Sequence, residues 1–306
     1  MKLTNEYNVP QPLYDLIGNK LYKPHPDRLG VTTLVGPPLI HNLMIKHWDE
    51  LTQDVSEFLW MLLGTSVDYI LSNIAEKAKH EGKFVAVQLK LEVPFEVDGK
   101  KITVIGKPDF ICDDSLEDWK VTSVWSIIEK GVKPEWDKQL NCYAYLYNRL
   151  LMQGPNKPEG MGEAPIRHLC INAILRDHDK NRVNRRPDDN YPPIPFVSKW
   201  VGLWAHKYAE NFIYERVVDH VRNPWRECTP EEKWQREPTF ALMKKGRKSA
   251  IKVEASREAI VEYAASHNIT IDGERIYVEE RKGECVRCNR YCPVAEFCPY
   301  FKKGDE

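Results

Sequence analysis

Beyond Gly82 the hydrophobic pattern of this chain changes period, and that change restricts the fold more than any other feature. Residues 54–79 place Phe58, Leu62, Val67, Ile70, Leu71 and Ile74 at helical spacing, interrupted by Gly64 and ended by Gly82. Residues 85–97 then read as a strand, Asp98-Gly99 as a two-residue hairpin turn, and 102–112 as a second strand. Asp113, Asp114 and Ser115 turn the chain into a third strand over 116–122. The spacing predicts a three-stranded meander. An amphipathic helix over 134–153, closed by Gly154, and an apolar strand over 166–175 complete the centre. The fold class expected is α/β, more fully an α+β mixed sheet flanked by helices.

Around this centre the signals are local. Turn formers (Pro24, Pro26, Gly30, Gly36, Pro37, Pro38) give the first fifty residues the character of an extended arm, followed by a helix over 40–48. Residues 176–195 predict a polar loop carrying Arg176, Lys180, Arg182, Arg185 and Arg186, followed by a strand over 196–204 and a helix over 205–221. Thr229-Pro230-Glu231-Glu232 is a capping box that predicts a short helix. A basic hairpin over 239–253 (Lys244, Lys245, Arg247, Lys248, Lys252), a helix capped by Ser256 and a strand over 275–279 lead to the C-terminus. Three regions are expected: an N-terminal arm and helical region over 1–82, a core over 83–222 and an appendage over 223–306.

Forty-four basic residues against forty-five acidic ones give a net charge of −1, so any contact with nucleic acid must come from local patches. No apolar run is read as reaching the ~20 residues of a membrane span, and residues 1–12 lack the layout of a signal peptide. The expectation is a cytoplasmic protein with no membrane partner.

Strand geometry singles out one constellation. Side chains at i and i+2 share a face of a strand, so Asp118 and Lys120 point one way while Glu117 and Trp119 point the other. Asp109, on the preceding strand, can bring a second carboxylate to the same place. Two carboxylates suit Mg²⁺ or Mn²⁺, and Lys120 would orient a water or offset charge on a phosphate. Glu92 is a further carboxylate within the strands and reads mainly as exposed surface. His41 and His47 read as surface or packing residues. Trp119 and Tyr191 could stack on bases, although packing is their commoner use.

Eight cysteines are present, and Cys285, Cys288, Cys292 and Cys298 fall within fourteen residues. In a reducing compartment such crowding points to metal rather than to disulfides. Cys292 and Cys298 are each followed by proline, as in some iron–sulfur runs. Four thiolates suit Zn²⁺ equally well.

Gly106-Lys107-Pro108-Asp109 followed by Asp118-Trp119-Lys120 resembles the split signature of the PD-(D/E)XK nuclease superfamily. Gln139 and Tyr143, at i and i+4 on one helix, resemble the Gln-x-x-x-Tyr motif of its RecB-like exonuclease branch, phage-encoded and CRISPR-adaptation members above all. The resemblance runs from about residue 31 to the C-terminus. It implies a restriction-endonuclease-like core, Asp109, Asp118 and Lys120 as catalytic residues, and Gln139 and Tyr143 near the scissile phosphate. DNA is the implied partner, together with other phage replication or recombination proteins. The activity implied is a Mg²⁺/Mn²⁺-dependent DNA exonuclease; a structure-specific or restriction-like endonuclease and a catalytically silent DNA-end-binding protein are the alternatives.

The branch usually carries a histidine metal ligand in Gly-x-x-x-His, whereas this chain reads Gly64-Thr65-Ser66-Val67-Asp68, which makes Asp68 a candidate oxygen ligand. The resemblance also implies a [4Fe–4S] cluster on three C-terminal cysteines, Cys288, Cys292 and Cys298, and one distant cysteine. The distant ligand of the relatives lies near the N-terminus, where this chain has Gly36-Pro37-Pro38. The fourth ligand is then Cys285 or Cys228.

Overall fold

The Asp98-Gly99 pair turns the chain as its chemistry favours. Both residues take positive φ, 52° and 73°, and the flanking strands pair antiparallel from Val97↔Lys100 to Leu91↔Gly106. The structure, a computed structural model, describes residues 1–185 and 190–301, with the side chains of Asp68, Glu76, Ala78, His80, Lys130 and Arg185 outside the description. The chain divides into two units, Met1–Trp225 and Arg226–Glu306.

In the first unit the elements run β1 (Lys2–Thr4), α1 (Gln11–Gly18), β2 (Arg28–Gly30), α2 (Val31–Val35), α3 (Pro38–His47), β3 (Thr52–Asp54), α4 (Met61–His80), β4 (Val85–Val87), β5 (Leu91–Val97) and β6 (Lys100–Gly106). They continue as β7 (Phe110–Cys112), β8 (Ser115–Thr122), α5 (Val124–Lys130), α6 (Pro134–Leu151), β9 (His168–Leu175), α7 (Lys180–Arg185), β10 (Phe196–Val201) and α8 (His206–Arg222). The architecture is mixed α/β, with open sheets flanked by helices and no closed barrel among the described residues.

The three-stranded meander does not form. The second expected strand breaks after Gly106, and its two halves join different sheets, β2-β6-β5 and β10-β9-β8-β7-β4. Lys107, Pro108 and Asp109 make the crossing. Pro108 has no N–H to give a ladder, so it suits this break better than a continuing strand. Both sheets are mixed: β2 runs parallel to β6 and β9 parallel to β8, while the remaining pairs are antiparallel. The region expected over 1–82 folds into the same unit as these strands.

Strand β8 sorts its side chains between two layers. Leu116 is buried in the main core with Leu140, Tyr143 and Leu146 of α6, while Trp119 and Val121 lie against the cluster of Val67, Leu71 and Ala75 from α4 with Val85 and Phe110. Helices α6 and α4 therefore cover opposite faces of the sheet. Stretch Val55–Ala75 is long and apolar enough by composition to cross a membrane, a length the sequence reading had not credited to any run. Its buried side packs on the sheet as a flanking helix does. The polar loop after β9 contains helix α7.

In the second unit β11 (Thr239–Lys244) lies between β12 (Lys252–Glu254) and β13 (Ile276–Arg281), all antiparallel. Helix α9 (Arg257–Ser266) starts where Ser256 Oγ accepts from the Ala259 N–H at 3.1 Å, and Ile260 and Ala264 pack on Leu242. Helix α10 (Val286–Arg290) carries Cys288 and has Cys285 at its N-cap. The capping box at Thr229 forms reciprocally, Glu232 N to Thr229 Oγ1 at 3.2 Å and Thr229 N to Glu232 Oε2 at 2.9 Å. No helix follows it: 230–234 are turns, and Trp234 takes a φ of 53° that ends the helical course.

Candidate active site and cysteine cluster

The site lies at the fork where the chain passes from one sheet to the other. Gly106, the last residue of β6, lets α6 approach closely, since a Cβ there would stand 2.9 Å from Tyr143 Cδ1 and 3.0 Å from Leu146 Cδ1. That approach brings the Gln139 and Tyr143 face of α6 over the end of the strand.

Asp109 is fixed by two donors. Its Oδ2 accepts from the Trp119 N–H at 2.9 Å and its Oδ1 from Gln88 Nε2 at 3.0 Å. Sequence reasoning missed Gln88. Its signal is conformational: it takes a left-handed φ of 51°, uncommon outside glycine, just past β4, and that turn aims its amide at the carboxylate.

Asp118 occupies a core position of β8 and is 1% exposed. Lys120 Nζ stands 2.5 Å from its Oδ2, so the ammonium is the direct counter-charge of this buried carboxylate. Burial pushes the Asp118 carboxyl up to about 6, with the Asp109 charge adding to the rise and Lys120 opposing it. Lys120 also donates to Gln139 Oε1 at 3.2 Å, and Gln139 Nε2 donates to the Tyr143 hydroxyl at 2.8 Å and lies 3.5 Å from Thr32 Oγ1. Burial raises the Tyr143 phenol, which therefore stays protonated. Four of the five residues are thus linked as Asp118, Lys120, Gln139 and Tyr143, with Asp109 electrostatically coupled to Asp118.

A buried carboxylate beside a second carboxylate fits a hard divalent cation, because such an ion would offset the desolvated charge that Lys120 offsets only in part. Among the described residues no three His, Cys, Asp or Glu side chains already converge on one ion. The side chain of Asp68 lies outside the described residues. Glu92 is engaged elsewhere, paired with Arg28 and with Lys90 at 2.9 Å. Glu117 faces away from Asp118 and accepts from Asn172 Nδ2 at 2.6 Å. His41 is buried against His220, ring centroids 5.7 Å apart.

Both aromatics named for base stacking are packed instead. Trp119 lies on Phe196 at 5.9 Å, and Tyr191, buried, accepts from the Asp179 N–H at 2.8 Å through its hydroxyl. Of the basic loop, Arg176 and Lys180 are exposed and Arg182 half-buried, while Arg186 and the side chain of Arg185 lie outside the described residues. In the second unit Lys244, Lys245, Arg247 and Lys248 are all exposed around the β11–β12 turn.

All five cysteines of interest belong to the second unit and are free and half-buried. Burial pushes the Cys228 thiol up to about 12, helped by Glu232 and by Cys288, Cys298 and Cys292. Cys292 is raised by burial and by Cys288 and Cys298, and Cys288 by burial, Cys285 and Cys298. Cys288, Cys298 and Cys292 are thus felt at Cys228 and Cys285 at Cys288, although among the described residues no three of these thiols already converge as on one ion. Half-buried thiols gathered in one unit, three of them raised first by burial and then by their neighbours, fit a soft cation or cluster that would take up their charge. Residue 228 opens the unit and residues 288–298 lie near its end, so such a site would tie the unit to itself.

No family model matches this chain, and no curated protein does. Among solved structures, one described as "Crystal structure of SSO0001" is 14% identical, with a TM-score of 0.48, over 72% of this chain and 87% of that one. A likeness of that size carries no argument about what the chain does.

Proposed function

We propose that the protein is a metal-dependent deoxyribonuclease of the PD-(D/E)XK type, acting as an exonuclease in phage-type replication or recombination. The observation that carries this reading is Asp118: a fully buried carboxylate beside Asp109 and 2.5 Å from Lys120. Burying one carboxylate beside another costs stability that a single lysine offsets only in part, and functional sites accept that cost.

Asp109 and Asp118 would hold Mg²⁺ or Mn²⁺, which when bound supplies a Lewis acid for the phosphoryl oxygen and an acidified water. The chain's own groups do the rest. Gln88 and the Trp119 N–H orient Asp109. Gln139 holds Lys120 beside Asp118, leaving an ammonium to balance negative charge on the phosphate. Tyr143 fixes Gln139 and keeps its own proton.

For the second unit we propose a structural [4Fe–4S] cluster on Cys228, Cys288, Cys292 and Cys298, with Zn²⁺ as the other filling of the same thiols. Cys228 is preferred to Cys285 because the charges of all three others add to the rise of its thiol, whereas Cys285 is felt at Cys288.

Incubation with Mn²⁺ or Mg²⁺ and end-labelled linear DNA, beside a covalently closed circle, tests the activity. Shortening of the linear molecule with the circle intact is the expected result. A cut circle would replace exonuclease by endonuclease action, and no product from either would remove the catalytic reading.

A further inference from the structure

Lys120 is not the last cation at this end of the sheet. Strands β8 and β9 run parallel with Lys120↔Ala173 and Thr122↔Leu175 in register, and the Arg176 N–H continues the ladder to Thr122 O at 3.0 Å. Arg176 therefore follows about 10 Å beyond the level of Lys120, at about 3.3 Å per residue. Its guanidinium lies over the ring of Trp60 at 4.7 Å, and Trp60, 64% exposed, immediately precedes α4.

On the other face of the same edge, α5 packs Val124 and Ile127 against Ala173, Leu175 and Tyr191. The exposed Trp125 on this helix meets Arg182, whose guanidinium lies 4.6 Å from the Trp125 ring centre and 5.1 Å from that of Tyr191. Two indoles, each with an arginine on it, thus flank the carboxyl-terminal edge of β8 and β9 from the two layers.

The edge between them is held rigid. Asp177 accepts from Ser123 Oγ and from the Val124 N–H, both at 2.6 Å, and the Tyr191 hydroxyl fixes the residue before α7. Aromatic faces of this kind are of no use to a duplex, whose bases are already stacked, but they suit unpaired bases whose phosphates the arginines can reach.

We propose that the edge carrying Trp60, Arg176, Trp125 and Arg182 is a binding track for single-stranded DNA, guiding an unpaired strand toward Asp118 and Lys120. The destination rests on the nuclease reading; the binding does not. Two cation–aromatic pairs with exposed indoles, one in each layer at the carboxyl-terminal edge of β8 and β9, are its physical basis, and Asp177 and Tyr191 hold the edge between them, which spares part of the cost of ordering it on binding.

The test is equilibrium binding of a fluorescein-labelled oligothymidylate of about 15 nucleotides, in EDTA so that no cleavage enters, with a blunt duplex of the same length alongside. Trp60→Ala and Trp125→Ala are expected each to weaken the single strand about tenfold or more while changing the duplex less than about twofold, and the Phe replacements to retain most of the affinity. Trp125→Leu keeps the apolar cover of Tyr191 and serves if Trp125→Ala unfolds. Arg176→Gln and Arg182→Gln should each lower the slope of log affinity against log salt by about 0.7. Single-strand binding unchanged in both Trp variants, or duplex binding lost in equal measure, overturns the track. Mn²⁺-dependent hydrolysis of bis(p-nitrophenyl) phosphate, a diester without bases, reports on the metal site alone: its absence tells against the catalytic reading and leaves the binding result to decide the track.

Discussion

Asp118→Asn should make the metal-free protein more stable. The carboxyl is 1% exposed and sits at about 6 in the folded state against 3.8 as its ordinary value. At 1.36 kcal/mol per pH unit, the ionised form costs the fold about 3 kcal/mol at pH 8. Asparagine keeps the shape and cannot ionise, but it also removes the counter-charge of Lys120, which retains Gln139. A net gain of about 2–3 kcal/mol corresponds to a rise of about 4–12 °C in Tm for a unit of this size. The sign fixes the pH window. A carboxyl raised in the folded state contributes its full stability below its unfolded value and loses it as pH climbs through the folded one. The variant's advantage should therefore be absent near pH 4, grow to about pH 6 and stay level above it. Thermal unfolding in EDTA from pH 4 to 8, followed by circular dichroism, measures this, and excess Mg²⁺ should narrow the gap by stabilising the natural protein alone. A variant less stable at pH 8, or an advantage independent of pH, would refute the account of Asp118 as a desolvated charge that Lys120 offsets only in part.

Gly106→Ala forces a methyl group to within 3.0 Å of Tyr143 and Leu146, so it should cost about 1–3 kcal/mol in urea unfolding and lower activity by displacing Gln139 from Lys120. Wild-type stability would mean that α6 gives way freely. Cys228→Ser, purified without oxygen, should lose iron and the broad absorbance near ~400 nm, whereas Cys285→Ser should keep both. The reverse pattern would exchange the two ligands, and colourless protein holding one zinc would replace the cluster by zinc. Gln88→Ala should leave the fold intact and raise the Mg²⁺ concentration needed for half-maximal cleavage, because Asp109 loses the donor on Oδ1; an unchanged metal requirement would confine Gln88 to a structural role.

Most of the first unit's elements were legible because their causes are local. The turn at Asp98-Gly99, the helix from Pro134 and the opposed faces of Glu117 and Asp118 each follow from a few neighbouring residues. Where sequence reasoning failed, the deciding partner was remote. The split of the meander into two sheets depends on β2, over seventy residues away in sequence, taking the free edge of β6, and on Pro108 interrupting the strand between. The box at Thr229 forms as its sequence predicts, but Trp234 and the bridge of Gln235 to Cys285 draw the chain out of the helix. Gln88 could not be found from pattern at all, since its relevance lies in one backbone angle. Spacing alone does not choose between Cys228 and Cys285 as the fourth cysteine, because the choice depends on how the unit folds.

The most direct measurement of the central claim is the rate of cleavage of end-labelled linear DNA in Mn²⁺ by the natural protein and by Asp109→Ala, Lys120→Ala and Glu117→Ala, each first shown to melt as a folded protein. Asp109→Ala and Lys120→Ala are predicted to lose at least about 100-fold in rate, because each removes a part of one charge-stabilising site, while Glu117→Ala, on the opposite face of β8, should cleave nearly as before. Wild-type rates in either of the first two variants, or no cleavage by the natural protein in Mn²⁺ or Mg²⁺, would contradict the account.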